Sequence, residues 1–251
     1  MSGHSKWATI KRKKGDLDAK KGKIFTKAVR EITTAARLGG GDPGGNPRLR
    51  AAVQAAKAAR MPADNIDRAI KKGTGALDGP PVEEIFYEGY GPGGVALYIE
   101  AQTDNRNRTS SDVRAAFSKN DGNLGTAGSV GYLFKNRGQF VFDGSRHTED
   151  QLMEAALNVG ADDVRGDDSV VVVECDYKDF AQVMDGLDAA QLKYDGAELT
   201  WVPDTTIKVA GPEAEKVLRL VERLEDLDDV QKVYANFDID ESELERIAKL
   251  G

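Results

Sequence analysis

Only one cysteine and two histidines occur in 251 residues, and their scarcity removes several chemistries at once. Cys175 can close no internal disulfide and has no CxxC partner, which fits a reducing compartment and a buried structural thiol. His4 and His147 lie far apart, neither with a second His or Cys at ligand spacing, so no metal site and no bound cofactor are expected. Long apolar runs are missing too. The longest, around 170–173, falls far below the roughly 20 residues of a membrane span, and no apolar leader opens the chain. A cytoplasmic location without a membrane partner is the expectation. Nucleophile motifs are equally scarce: Ser129 lacks a GxSxG elbow, no Walker lysine motif occurs, and adjacent acids such as Asp162 and Asp163 suit turns. GYGPGG matches GxGxxG through Gly89, Gly91 and Gly94, but a strand pattern follows where a dinucleotide site requires a helix. No catalytic residue is therefore assigned, and an enzyme built on Gly-rich loops ranks last of three readings.

What the chain does have is charge sorted along its length. Residues 1–77 hold 18 lysines and arginines against 6 acids; the whole carries −7, which leaves −19 for the remaining 174. Like charges repel, so a basic block of this size points to a polyanionic partner. Over 2–15, SGHSKWATIKRKKG has no apolar periodicity and reads as a cationic arm. Lys6, Lys11, Arg12, Lys13 and Lys14 suit phosphates, His4 lies among them, and Trp7 either stacks on a base or anchors the arm to its own domain. Steps of about 100° place Ile24, Phe25, Ala28, Val29, Ile32, Ala35 and Ala36 on one face of the next helix. Lys20, Lys23, Lys27, Arg30 and Arg37 fall on the other, an expected ridge for phosphates held clear of the acidic body.

A Gly-rich loop over 39–47 ends in Asn46, a candidate N-cap, and Pro47, suited to the first helical position. The Ala-rich helix that follows runs to about Arg60 and bears Arg48, Arg50, Lys57 and Arg60. A third helix pairs Ile66 with Ile70, adds Arg68, Lys71 and Lys72 to the basic set, and should end at a C-capping Gly73. No side-chain set suited to base edges stands out, so backbone or shape recognition is expected.

Past a linker at 75–81 the periodicity turns to strands. IFYEGYGPGGVALYIEA predicts a hairpin, TDNRNRT a polar loop before a helix over 110–117, and GNLGTAGSVGYLF a Gly-rich loop entering a strand. Asp104, Asn105, Arg106, Asn107, Arg108 and Thr109, with Gly125, Gly128 and Ser129, form a candidate second functional surface that a ligand or RNA strand could approach closely. The same residues also satisfy ordinary turn geometry. Over 138–203 the order β-α-β-β-α-β suggests a ferredoxin-like unit, while TTIKVA, a helix over 212–224 and VQKVYANF could complete the sheet begun near Ile85. The fold class is thus multi-domain α and α+β: a basic three-helix domain with its arm (1–77), a discontinuous α+β domain (80–135 plus 204–251), and an inserted ferredoxin-like domain (136–203).

The stretches GHSKWATIKRKKG, FTKAVREITTAAR, NPRLRAAV, MPADNIDRAIKKGTG, YEGYGPGGVALYIE, TDNRNRT and LGTAGSVGYLF span nearly the whole chain and resemble the YebC/PmpR family. The resemblance implies a helical bundle followed by two α+β domains, one inserted in the other. It also implies nucleic-acid binding, either as a DNA-binding transcriptional regulator or in translation at the ribosome. The second role belongs to the mitochondrial translational activator of cytochrome oxidase subunit one and to bacterial relatives linked to relief of stalling at proline-rich sequences. An acidic body disfavours wrapping a naked polyanion and suits a surface that mixes RNA with basic protein. Ribosomal RNA or the ribosome is therefore the preferred partner, with duplex DNA as the alternative; the oligomeric state is left open.

Overall fold

The structure, a computed structural model, describes residues 21–78, 80–166 and 170–250. The arm, and with it His4, Lys6, Trp7, Lys11, Arg12, Lys13, Lys14 and Lys20, lies outside the described residues.

Three helices come first: α1 (Lys21–Gly39), α2 (Pro47–Ala58) and α3 (Ala63–Gly73). Ile32, Ala35, Ala36, Leu49, Val53, Ala56, Met61, Ile66 and Ala69 make their shared core, with Phe25, Ala28 and Val29 at its margin. Ile24, assigned to the same face by periodicity, is instead 44% exposed, because it sits about two turns before Ile32, the first fully buried position of α1. Asn46 caps α2 as its position demands: Oδ1 accepts the Leu49 N–H at 3.0 Å. Its Nδ2 donates to the Ala35 and Gly40 carbonyls, both at 2.9 Å, so one side chain also joins α2 to the end of α1. Asn46→Ala should therefore cost about 1–2 kcal/mol, read from urea denaturation. Gly73 is not the C-cap. The helix ends on Thr74, and Gly75 takes the positive φ of 78°. Gly73 is needed for a different reason, since a Cβ there would strike the Thr33 carbonyl and come within 2.8 Å of Ala36 Cβ.

The remainder runs β1 (Glu83–Tyr90), β2 (Ala96–Thr103), α4 (Arg106–Lys119), β3 (Asn123–Leu124), β4 (Phe134–Asp143), α5 (Glu149–Val159), β5 (Asp163–Gly166), β6 (Val170–Asp176), α6 (Phe180–Ala189) and β7 (Gly196–Pro203). It closes with β8 (Ile207–Lys208), α7 (Gly211–Glu225), β9 (Val230–Ala235), β10 (Phe237–Asp238) and α8 (Glu241–Leu250), a helix the periodicity reading did not include. One antiparallel sheet has the order β3-β1-β2-β9, and a second, β5-β6-β4-β7, is the ferredoxin-like arrangement inserted between β3 and β8. The segment TTIKVA does not extend the first sheet; Ile207 and Lys208 pair in parallel with β10.

The two-residue period of strands sorts the first sheet into unlike faces. Leu97 and Ile99, with Val233 and Ala235, point to the helical side and join a core with Phe117, Val217, Leu220 and Leu224. The opposite face holds the aromatic cluster Phe86, Tyr98, Phe134, Tyr234 and Trp201, with Tyr98 and Phe86 stacked at 4.9 Å. Register puts Glu84, Glu88, Glu100, Gln102 and Lys232 on that same face, turned towards the helical bundle and the inserted unit. In the inserted unit Phe140, Phe142, Val171 and Val173 pack beneath Leu152, Val183 and Leu187, and Cys175 is fully buried there, its thiol pushed up to about 12 chiefly by burial. Among the described residues no helix is long and apolar enough to cross a membrane.

Candidate nucleic-acid interface

The basic face of α1 does not look outward along its whole length. Lys23 Nζ donates to the Asp226 carbonyl at 2.9 Å and pairs with its carboxylate at 3.2 Å, and Lys27 Nζ donates to the Glu225 carbonyl at 2.9 Å. Arg30 Nη1 donates to the Asp228 carbonyl and to the Gln102 carbonyl at 3.1 Å, and meets Asp229 Oδ1 at 2.7 Å. These residues, spaced i, i+4 and i+7, land on the C-terminal end of α7, where helix carbonyls lack partners and the dipole is negative. The expected separation of ridge and body is thereby corrected, because the nearest anionic helix end belongs to this chain.

A second correction concerns TDNRNRT. The helix begins at Arg106, four residues earlier than expected, because Asn105 Oδ1 accepts the Arg108 N–H at 3.1 Å and caps it. Asp104 and Asn107 are exposed, and Arg106 pairs with Glu83 at 2.7 Å. Arg108 bonds Asp104 at 3.0 Å and Asp229 at 2.9 Å, and Thr109 Oγ1 donates to Asp229 at 2.7 Å. Burial alone would raise the Asp229 carboxyl, but Thr109, Arg108 and Arg30 together hold it below the ordinary range. Arg30 and Arg108 thus converge on one internal acid.

Arg48, expected on phosphate, forms the centre of an internal network. Its Nε reaches Glu31 Oε1 at 2.7 Å, its Nη2 reaches Glu84 Oε1 at 2.6 Å, and Glu100 lies 3.9 Å away. Gln102 Nε2 donates to Glu31 Oε2 at 2.7 Å, Tyr234 donates to Glu100 at 2.8 Å, and Lys232 holds Glu198 of the inserted unit at 2.7 Å. Burial would raise the Glu31 carboxyl, yet Arg48 keeps it below the usual range; Glu100, without so close a cation, is raised, mainly by burial. Oxygens of Glu31, Glu84 and Glu100 fall within 4.8 Å of one another, a spacing that could hold a metal ion, although Arg48 already supplies positive charge there. A cavity of about 400 Å³ adjoins the network between bundle, sheet and inserted unit, with Phe86, Trp201 and Phe180 on its apolar side. Arg50 is likewise engaged, pairing with Asp185 on α6 at 2.8 Å. Local sequence patterns carried no sign of this network, because its members are spread from Glu31 to Tyr234.

Other members of the basic set behave as expected of a surface. Arg37, Lys57, Arg60, Arg68 and Lys71 are exposed, and none forms an ion pair with a described residue. Arg37, Lys57, Lys71 and Lys72 occupy the last turns of their helices, where the dipole favours cations. Gly73 against Ala36 brings the ends of α1 and α3 together, so Arg37 shares one end of the bundle with Lys71 and Lys72.

The loop that carries Gly125, Gly128 and Ser129 is filled from within. Glu88 accepts N–H bonds from Gly128 at 2.7 Å, Val130 at 2.6 Å and Gly131 at 2.7 Å, and although burial opposes ionisation these bonds hold its carboxyl below the usual range. Gly125 approaches so closely that a Cβ would lie 2.6 Å from Ser129 Oγ. The expected open cradle for an external ligand is thus corrected; its amides already hold an anion. Tyr90 donates to the Ser129 carbonyl at 3.0 Å, and the loop projects Tyr132, 72% exposed.

Comparison with known proteins covers both halves of this arrangement. A model described as the TACO1/YebC protein N-terminal domain matches residues 5–76, and one described as the TACO1/YebC second and third domain matches residues 82–237. A protein of Syntrophobacter fumaroxidans is 56% identical over 249 residues, covering 99% of this chain and 100% of its own. One of Geobacter sulfurreducens is 54% identical over 247 residues, covering 98% and 100%. Both bear the name probable transcriptional regulatory protein. In three dimensions, the crystal structure of a conserved hypothetical protein from Aquifex aeolicus superposes with a TM-score of 0.83 at 46% identity, over 90% of this chain and 93% of that one.

Proposed function

Because this chain belongs to the TACO1/YebC family, we propose that it is a non-enzymatic, nucleic-acid-binding regulator of gene expression that uses its basic three-helix domain as the grip. The observation that carries this reading is the exposed set Arg37, Lys57, Arg60, Arg68 and Lys71, free of ion pairs among the described residues. In the body Arg106, Arg108, Arg137, Arg146, Arg165 and Arg246 each sit against a carboxylate, and Arg114, Arg219 and Arg223, exposed without an ion pair to a described residue, lie in a segment of net −19. Cations without internal partners retain their charge for phosphates, and the basic arm, with Lys6 and Lys11 to Lys14, enlarges the same field. The working units are 1–77, 80–135 with 204–251, and 136–203, acting in the cytoplasm.

Its preferred target is RNA on the ribosome, because a body of net −19 is repelled by a lone duplex yet tolerates a surface where RNA alternates with basic protein. The name borne by the relatives favours a second reading, promoter DNA. Co-sedimentation with ribosomes, set beside binding to random and promoter duplexes at about 0.15 M salt, separates the two. Ribosome association that persists where duplex binding vanishes selects translation; a salt-resistant, sequence-dependent duplex complex selects transcription. In either case Arg68→Glu with Lys71→Glu should weaken binding in a folded protein, and loss of each contacting cation should lower the log–log salt slope by about one.

A further inference from the structure

We infer that the acidic turn 225–229 is an internal occupant of the α1 phosphate-binding face and is displaced when nucleic acid binds, so that binding is coupled to parting of α1 from the C-terminal end of α7. The inference rests on the nucleic-acid reading and adds its regulation. Lys23, Lys27 and Arg30 hold three helix-end and turn carbonyls, those of Glu225, Asp226 and Asp228, together with the carboxylates of Asp226 and Asp229. A group of partly and fully anionic oxygens set against a basic helix face is also what a sugar-phosphate strand offers. The two cannot occupy the face together.

The contact is built to exchange. The outer pair is solvated, with Lys23 and Asp226 side chains 45% and 60% exposed, so salt and competing anions screen it. The apolar core of the bundle and the core that contains α7 are separate clusters, so no shared hydrophobic core fastens α1 to α7. Beside Arg30 a cleft of about 350 Å³, lined in part by Val29, Thr33, Lys72 and Asp104, already parts the two bodies and gives a strand a point of entry. The turn itself would survive eviction, because Asp229 remains held by Arg108 and Thr109 of its own α+β layer. The body thus keeps an ordered anionic surface that closes again when the strand leaves.

The test fastens the contact covalently. In the full chain, Lys23→Cys with Asp226→Cys is joined by a short bis-maleimide; the native Cys175 is fully buried and does not compete. Binding to a single-stranded oligouridylate and to a duplex DNA of equal length is compared in the same variant before and after linking. Linking should lower affinity for both about tenfold or more. Independently, Asp226→Asn with Asp228→Asn should raise affinity about two- to fivefold, whereas Asp150→Asn with Glu154→Gln on α5, an equal change of net charge away from the contact, should raise it less. Equal binding by linked and unlinked protein, or equal gains from the two charge pairs, would overturn the inference and leave the nucleic-acid reading standing. Failure of wild-type and unlinked protein alike to bind either oligonucleotide would bring down the reading on which it rests.

Discussion

Arg48→Met should destabilise the protein by about 2–3 kcal/mol at neutral pH, somewhat below the roughly 3–5 kcal/mol for breaking a fully buried pair because the Arg48 side chain is 26% exposed. The substituent matches the aliphatic bulk of arginine, so the loss is electrostatic rather than a cavity. Without the guanidinium, Glu31, Glu84 and Glu100 face one another with Lys232 as the nearest remaining cation acting on Glu31 and Glu100. The pH dependence follows from the carboxyls. Glu100 titrates above its ordinary range in the folded protein, so folding takes up a proton there, and its unfavourable contribution fades as pH falls through the raised value. Removing Arg48 should push more of the cluster the same way. The variant should therefore recover part of its deficit between about pH 8 and about pH 5, where wild type shows a weaker trend. Urea denaturation at both pH values reads this directly. Glu31→Gln added to Arg48→Met should restore stability through reduced repulsion, whereas independent sites would make the double variant worse than either single one.

Glu88→Ala should cost about 2–4 kcal/mol and loosen 125–131, because it leaves the amides of Gly128, Val130 and Gly131 without their acceptor around a side chain only 8% exposed. Hydrogen exchange should accelerate at those three amides while β4 stays protected. The sign of the pH effect is opposite to that at Glu100. A carboxyl held below its ordinary value by N–H donors contributes stability that is present above about 4.3, the unfolded value, and is lost as pH falls through the folded one. Wild type should thus lose loop protection on acidification and the alanine variant should not change. Unaltered exchange in Glu88→Ala at neutral pH would show that the loop is held by Tyr90 and its own backbone instead.

Legibility in the sequence tracked the distance over which each interaction acts. The buried stripe of α1, the Asn46 cap with Pro47, the β1–β2 hairpin and the β-α-β-β-α-β order were all readable, because each depends on spacing within a few residues. Errors arose where two local explanations compete. Asn105 can sit in a polar loop or cap a helix, and only the backbone beyond it decides; Gly73 can end a helix or admit a neighbouring one, and the Thr33 carbonyl decides. Within the candidate site, Arg68 and Lys71 are exposed, while Arg30, Arg48, Arg50 and Arg108 proved to be engaged by acids far off in sequence, Asp229, Glu31, Asp185 and Asp229 respectively.

Charge sorting was a property of the sequence alone: a block of +12 followed by a chain of −19 requires a polyanion, an internal partner or both, whatever the fold. Which cations meet which anions was decided only in three dimensions. Coulomb energy depends on separation and on the surrounding dielectric, and neither exists until β2 and β9 set Glu100, Gln102 and Lys232 opposite the bundle and α7 aims its C-terminal carbonyls at Lys23, Lys27 and Arg30. Folding thus uses part of the basic block to hold the domains together and leaves Arg37, Lys57, Lys71 and Lys72, in the last turns of the three helices, without an ion pair to a described residue.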